Sequence, residues 1–429
     1  MSRSAKLGAL ALMVTATTAM AQDTTRVDLR LLYGNPKIRP GLVVLPAAGL
    51  DSVRAIVERD LDQSNRFEMI ILPSVMALAQ PGPVNLAPYR AMSATLALEF
   101  QASAGGLVVA RLYDVASGLV RHEGTAVLDP AGAGEGRMAI HRLSDEVVRW
   151  ATGSPGIAAT RMLYVLNNRV WTVDADGAGA RPATASGRTA YSPTWHPDGR
   201  RFAFTEFTDG KAAVVLQTLA SSNRVLIPTT QTTTNITPAI SPTGRSIVFS
   251  RAMDRAVFAL HQVNLADLCC VERLTVGRFA ENLSPTYSPD GQRIAFVSNR
   301  AGSPQIYVMS SDGTNQELFV PFDYGVTGGS FAPDWSPDGL KVAFHRAMAG
   351  GFQVLVFDLT THRVQQVTSE GRNEDAAWAP DSRHLVFSSS RAGGRQLHIL
   401  DLETSRVRRI PTSGFAQLAS WSPRLGAMP

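Results

Sequence analysis

The chain has 429 residues, 45% of them hydrophobic and 18% charged, with 41 basic against 36 acidic side chains and a formal charge of +5. So small an excess argues against a nucleic-acid or membrane-surface binder, and the densest basic cluster, Arg406, Arg408 and Arg409, reads as a solvated face. Past the first residues no apolar run approaches the roughly 20 residues that a bilayer-spanning helix needs.

In chain order, Arg3 and Lys6 precede an apolar stretch from Leu7 to Val14, and Ala19-Met20-Ala21 has the small-x-small pattern of a secretory cleavage site. Residues 1–21 are therefore expected to be a signal peptide cleaved after Ala21, and the product to be exported and soluble. What remains is too long for one ordinary domain unless that domain is a repeat array, so two are expected, 22–155 and 156–429. In the first, Leu42 to Leu45 reads as a strand. Asp51 reads as the cap of a helix whose Val53, Ile56, Val57 and Leu61 share a face. Strands are expected at Phe67 to Leu72, Thr95 to Phe100, Leu107 to Tyr113 and Leu119 to Val127. A second helix follows with Ile140, Leu143, Val147 and Trp150 on one face, then a Gly153-Ser154-Pro155-Gly156 loop. This is a small α/β domain.

From residue 161 a phrase repeats. Pro197, Pro242, Pro289, Pro337, Pro380 and Pro423 stand 43 to 48 residues apart, each preceded by two residues such as Trp335-Ser336, and the first four are followed by Asp-Gly or Thr-Gly. Proline presets φ at the second turn position and glycine takes the left-handed conformation, so each phrase is a corner between two strands. An alternating apolar strand follows each complete corner (Phe202 and Phe204, Ile247 and Phe249, Ile294 and Phe296, Val342 and Phe344, Leu385 and Phe387). A third strand comes next, as at Val354 to Phe357, and then a short fourth, as at Arg273-Leu274-Thr275 or Gln366-Val367-Thr368. Four antiparallel strands at this period make a propeller blade. Met162 to Val165 and Val170 to Val173 lack a first strand, and Ala419-Ser420-Trp421 is a first strand with nothing after it. The two ends are expected to complete one blade, closing a six-bladed β-propeller.

Catalytic signatures are weak. No G-x-S-x-G elbow and no H-E-x-x-H pair occurs, and the eight histidines occupy different places in the repeat. His196, in a corner, and His345, just past a second strand, read as surface or edge side chains. Asp174-Ala175-Asp176-Gly177 and Ser311-Asp312-Gly313 read as hairpin turns, lacking the oxygen ladder of a calcium loop. Cys269 and Cys270 are adjacent, with Cα atoms about 3.8 Å apart, closer than a relaxed disulfide prefers. They read as two free thiols on opposite faces of a strand, with a strained vicinal bridge as the alternative.

The whole mature chain resembles the TolB family, the exported propeller component of the Tol-Pal envelope system. The resemblance rests on the signal peptide, Arg39-Pro40-Gly41-Leu42-Val43-Val44, Arg66-Phe67, Asp145-Glu146-Val147, Thr152-Gly153, Arg161-Met162-Leu163-Tyr164-Val165, the Ser-Pro-Asp-Gly blades and the terminal Trp421-Ser422-Pro423. It implies a periplasmic, monomeric, non-catalytic binding protein without cofactor or metal, acting in outer-membrane integrity and envelope constriction. The family implies two partners: a Pal-like lipoprotein on the propeller and a TolA-like inner-membrane protein on the mature N-terminus. Segments entering the innermost strands converge on one channel mouth, which points to Thr234, Thr237, Leu283, Ser284, Phe331 and Glu374 as contacts of the first. Alternating Val27, Leu29 and Leu31 after Asp23 suit strand addition to the second, or a strand pairing within their own domain. Better-known members carry a histidine where this chain has Thr234, so the contacts do not transfer unchanged. The competing reading is a propeller enzyme, a metal-dependent polysaccharide lyase or hydrolase using channel-mouth residues.

Overall fold

The computed structural model describes residues 39–73, 83–127, 135–221, 223–253, 257–277, 279–321 and 328–426. The signal-peptide and N-terminal expectations, including those for Asp23, Val27, Leu29 and Leu31, lie outside the described residues.

Among the described residues the strands form one five-stranded sheet and six four-stranded sheets. The first is built from β1 (Gly41–Val44), β2 (Glu68–Met69), β3 (Leu96–Ser103), β4 (Leu107–Asp114) and β5 (Val120–Val127), in the order β2-β1-β3-β4-β5. β1 is parallel to both neighbours, whereas β3, β4 and β5 run antiparallel. Helices α1 (Asp51–Gln63), α2 (Ala87–Ala91) and α3 (Glu135–Thr152) complete this α/β part. The expected helix faces pack one side of the sheet: Val53, Val57 and Leu61 of α1 and Ile140, Leu143 and Val147 of α3 join Leu42, Val44, Leu98 and Leu112 in one core. Trp150 is partly buried against this core and stacks on His122. Asp51 is not the cap of α1. Leu50 is, without a side-chain bond, and Asp51 lies in the first turn, where the helix dipole favours its charge.

Each propeller sheet is a blade. Blades 1 to 5 follow the chain in order from residue 189 to residue 409, and blade 6 takes its innermost strand, Gln417–Trp421, from the C-terminal end and pairs it with Arg161–Leu166. The ring closes as expected. One aromatic residue of every second strand (Phe204, Phe249, Phe296, Phe344, Phe387 and, in blade 6, Tyr164) is almost wholly buried, so the alternation reports the face packed between blades. The expected fourth strands shift by one to three residues. Leu274 and Val367 turn inward instead of continuing the outer strand, each donating its N–H to the third strand, at Leu260 and Val354.

Innermost strands run from the channel mouth down to the proline corners, and the α/β part packs on the corner side. Arg66 reaches Glu403, Arg406 reaches Asp62 and Asn65, and Arg59 and Arg137 both pair with Asp176 of the blade-6 turn. Between α3 and the first propeller strand, Asp145 accepts the Ala158 and Ala159 N–H groups at 2.7 and 2.9 Å. Burial pushes its carboxyl up to about 7 against the pull of those two bonds. Gly156 lies so close that a Cβ there would stand 2.4 Å from Asp145 Oδ1. Gly156→Ala is therefore expected to cost about 1–3 kcal/mol through overpacking. Urea denaturation of the variant against wild type checks this, and an unchanged midpoint would show that the linker can shift away.

Candidate functional site

The mouth is shaped by a device repeated in all six blades. Every innermost strand carries a bulge at one equivalent residue with left-handed backbone: Ser192, Thr237, Ser284, Ala332, Asp375 and Leu418, all at φ between 47 and 54°. None is glycine, and such a conformation costs about 1–2 kcal/mol per residue unless the surroundings compensate. Bonds between blades supply part of that compensation. Thr237 N–H donates to Thr205 Oγ1 of blade 1 (3.0 Å), and Ser284 N–H to Thr237 Oγ1 (3.3 Å). Asp375 N–H donates to His345 Nδ1 (3.1 Å), and the Asp375 carboxylate accepts the Leu418 N–H. Bulge residues and the prolines or alanines after them line a channel of about 360 Å³.

One step nearer solvent, the equivalent positions are Tyr191, Ile236, Leu283, Phe331, Glu374 and Gln417. At this position blades 1 to 4 carry half-buried apolar or aromatic side chains, and blades 5 and 6 form a polar sector. An apolar cavity of about 180 Å³ opens between blades 3 and 4, lined by residues that include Leu283, Ser284, Val297, Pro304 and Phe331. Phe331 stacks on His345 with ring centres 5.6 Å apart, and Phe352 meets both rings edge-on. Burial pushes the His345 imidazole down to about 4, so near neutral pH it is uncharged and its Nδ1 is free to accept the backbone bond. In the polar sector Glu374 is buried between Arg372 and Arg395, and Arg395 also donates to Gln417. Arg372, half exposed, is what solvent meets there.

Of the six mouth residues singled out from the sequence, Leu283, Ser284 and Phe331 share the cavity between blades 3 and 4. Thr237 and Ser284 line the channel and take part in the inter-blade bonds. Glu374 is enclosed by its arginines, and Thr234 is half-buried near the mouth end of its strand, paired to Ala252. These segments are already strand at the mouth.

The sequence reading missed an arginine clamp: Arg251, Arg300 and Arg391 each lie over the buried phenylalanine of their blade and bond Asn235, Asn282 and Asn373 of the innermost strand. Arg346 does the same over Phe344, toward Ser330. An Arg two or four residues after that phenylalanine, in each of blades 2 to 5, was the available signal. His196 and His345 are also buried, not surface side chains. His345 lies within the second strand of blade 4, and His196 Nε2 is 3.1 Å from Gly244 O in the next corner.

Large exposed apolar side chains gather on this face: Phe207, Met253 and Met348 at the mouth ends of second strands, and Val276, Phe279 and Phe415 on segments entering innermost strands. Phe279 is 92% exposed. Others lie elsewhere, among them Ile71, Leu119, Val120 and Val127 on the α/β part, so the mouth carries one exposed apolar patch of several.

Residues 148–323 and 324–428 match the family described as PD40, TolB beta propeller domain. The chain belongs to this TolB β-propeller family. A relative, the Tol-Pal system protein TolB of Bordetella pertussis, is 30% identical over 181 residues. That alignment covers 41% of each chain, so this TolB-family chain spans about two fifths of the length of the curated relatives it matches. The crystal structure of TolB from Acinetobacter baumannii superposes with a TM-score of 0.77 at 25% identity, over 90% of this chain and 97% of that one. A chain of a nidogen/laminin complex, 10% identical with a TM-score of 0.52 over 62% of this chain and 99% of its own, shares the fold alone.

Among the described residues of this TolB-family chain, the cluster with metal-ligand chemistry is Asp60, His141 and Asp176, all buried. It lies between the α/β part and blade 6, away from the mouth. Arg59 and Arg137 pair with Asp176, and half-buried Arg408 is drawn to both carboxylates, so the negative charge is already matched by cations. The residues fit an internal ion network, not a metal site.

Proposed function

We propose that this chain is a periplasmic, non-catalytic component of a Tol-Pal system. Its channel mouth receives a Pal-like lipoprotein, and its mature N-terminus, with Asp23, Val27, Leu29 and Leu31, engages a TolA-like inner-membrane protein. Export follows from the signal-peptide pattern before Gln22, and no described helix is long and apolar enough to cross a membrane. The observation that carries the reading is the apolar cavity between blades 3 and 4, lined in part by Leu283 and Phe331, at the mouth end of their innermost strands. Leu283 and Phe331 would supply apolar contact and Ser284 and Thr237 hydroxyl groups at the channel rim. Thr234 and the Glu374–Arg372 pair would mark the edge of the footprint. A buried apolar centre with a polar rim is the usual anatomy of such interfaces.

Titration calorimetry with the soluble domain of the Pal homologue from the same genome is the test. Wild type is expected to bind saturably. Phe331→Ala and Leu283→Arg are each expected to weaken binding about tenfold or more, about 1.4 kcal/mol. A chain lacking residues 23–31 should still bind that partner and lose the TolA-like one. Absence of any complex with folded wild-type protein would remove the Tol-Pal reading. Binding that ignores both substitutions would move the partner off the mouth.

A further inference from the structure

Cys269 and Cys270, the two cysteines of the chain, are both exposed. They do not lie on a strand. They stand in the turn joining the third strand of blade 2, Ala259–Asn264, to the fourth, Glu272–Arg273. The turn is anchored on either side of the pair, because Leu265, Leu268 and Val271 pack on the apolar core of blades 1 and 2. Leu268 N–H donates to Asn264 O at 3.0 Å and Cys269 N–H to Asp267 Oδ1 at 3.2 Å. With the backbone held, both side chains stand in solvent on adjacent residues. Two nucleophiles thus stand on adjacent residues of an anchored turn at the surface, and the second acts at an effective concentration far above that of any dissolved thiol.

We propose that Cys269 and Cys270 form a dithiol–disulfide exchange site, which takes an external disulfide, small or borne by an oxidoreductase, and closes reversibly to a vicinal disulfide. The Cys270 thiolate attacks one sulfur of R–S–S–R; that bond breaks, the first R–S⁻ leaves and is protonated, and a mixed disulfide remains on Cys270. Cys269 then gives up its proton and attacks the Cys270 sulfur, expelling the second R–S⁻, which is protonated in turn. The pair is oxidised by two electrons and the external disulfide is reduced to two thiols. The reverse order, Cys269 attacking and Cys270 resolving, balances in the same way, since the thiolate is the attacking form at either position. Adjacent Cα atoms about 3.8 Å apart are closer than the span of a relaxed disulfide, so the product ring is strained. Strained, exposed disulfides are the easily reduced ones, which suits exchange and not a permanent staple.

The test is intact mass of the reduced full-length mature protein after incubation with oxidised glutathione. Wild type is expected to lose the mass of two hydrogens, remain monomeric, and regain two alkylatable thiols on reduction, with the change mapped to the peptide spanning 265–273. Cys269→Ser, which removes the resolving thiol, is expected to keep one glutathione on Cys270. Wild type that accumulates glutathione adducts, cross-links into dimers, or stays unmodified while its urea-unfolded form reacts would overturn the proposal.

Discussion

Trp421→Ala is expected to destabilise the propeller by about 3–5 kcal/mol, the range for truncating a large buried aromatic side chain. Trp421 belongs to the innermost strand of blade 6, the last strand of the chain. Its ring packs with Ile157, Met162 and Val386, residues of the propeller's entry and of blade 5. Its Nε1–H donates to the buried Thr160 Oγ1 at 2.8 Å. The same seam is tied by Ser422 N–H to Arg161 O (2.8 Å) and by Arg161 N–H to Ser422 Oγ (2.9 Å). One substitution therefore opens a cavity where the two ends of the propeller chain meet. A ring derives its protection from having no long open edge, so loss at the seam should spread to strand pairing. Urea denaturation followed by circular dichroism checks this, with Trp335→Ala, inside one continuous blade, as the reference. The seam variant should show a lowered midpoint and a broadened transition, the reference a lowered midpoint alone. A seam variant within about 1 kcal/mol of wild type would show that closure does not limit the ring.

The features legible in the sequence were those fixed by local chemistry. A proline, a turn acid and a glycine specify a corner wherever they occur, so the blade period, the buried phenylalanine of each second strand and the shared sixth blade could all be read. The helix faces of the α/β part were legible because α1 and α3 obey the 3.6-residue period; five-residue α2 is too short to carry one. What escaped depends on contacts distant in sequence. The six bulges place serine, threonine, alanine, aspartate and leucine where glycine would be expected, and at Thr237, Ser284, Asp375 and Leu418 hydrogen bonds from the neighbouring blade help to hold them there. Only the fold puts Thr205 beside Thr237, or His345 beside Asp375. The mouth was located correctly as the convergence of strand entries, yet which of its residues are exposed was not legible. Glu374 looks available in sequence, but Arg372 beside it and Arg395, from the next hairpin of its own blade, enclose it. Cys269 and Cys270 were misread because an apolar-flanked pair resembles a strand until Leu268 and Val271 are seen to turn toward the core.

Asp60→Ala is expected to cost about 3–5 kcal/mol and to loosen the α/β part from the propeller, because it removes one partner from a buried charged network. Asp60 Oδ2 accepts from His141 Nδ1 and from Ser144 Oγ, both at 2.7 Å. Across the junction, His141 Nε2 lies 3.9 Å from Asp176 of blade 6. Burial alone would drive the imidazole down, but Asp60 and Asp176 outweigh it and hold His141 above its ordinary 6.5. Because the folded value is raised, folding takes up a proton at His141. The stability this brings is fully present below about pH 6.5 and is lost as pH rises through the raised value. Asp60→Asn, nearly the same size, separates charge from packing. Without the carboxylate, burial dominates, the folded value of His141 falls below 6.5, and the contribution reverses sign. The gap in stability between wild type and Asp60→Asn should then widen as pH falls, being larger at about pH 6 than at about pH 9. Urea titrations at both pH values measure it, with the His141 ring resonances followed in parallel by NMR. An equal gap at both pH values, or a His141 that titrates alike in both proteins, would show that Asp60 holds the junction by shape and hydrogen bonding and not by charging the histidine.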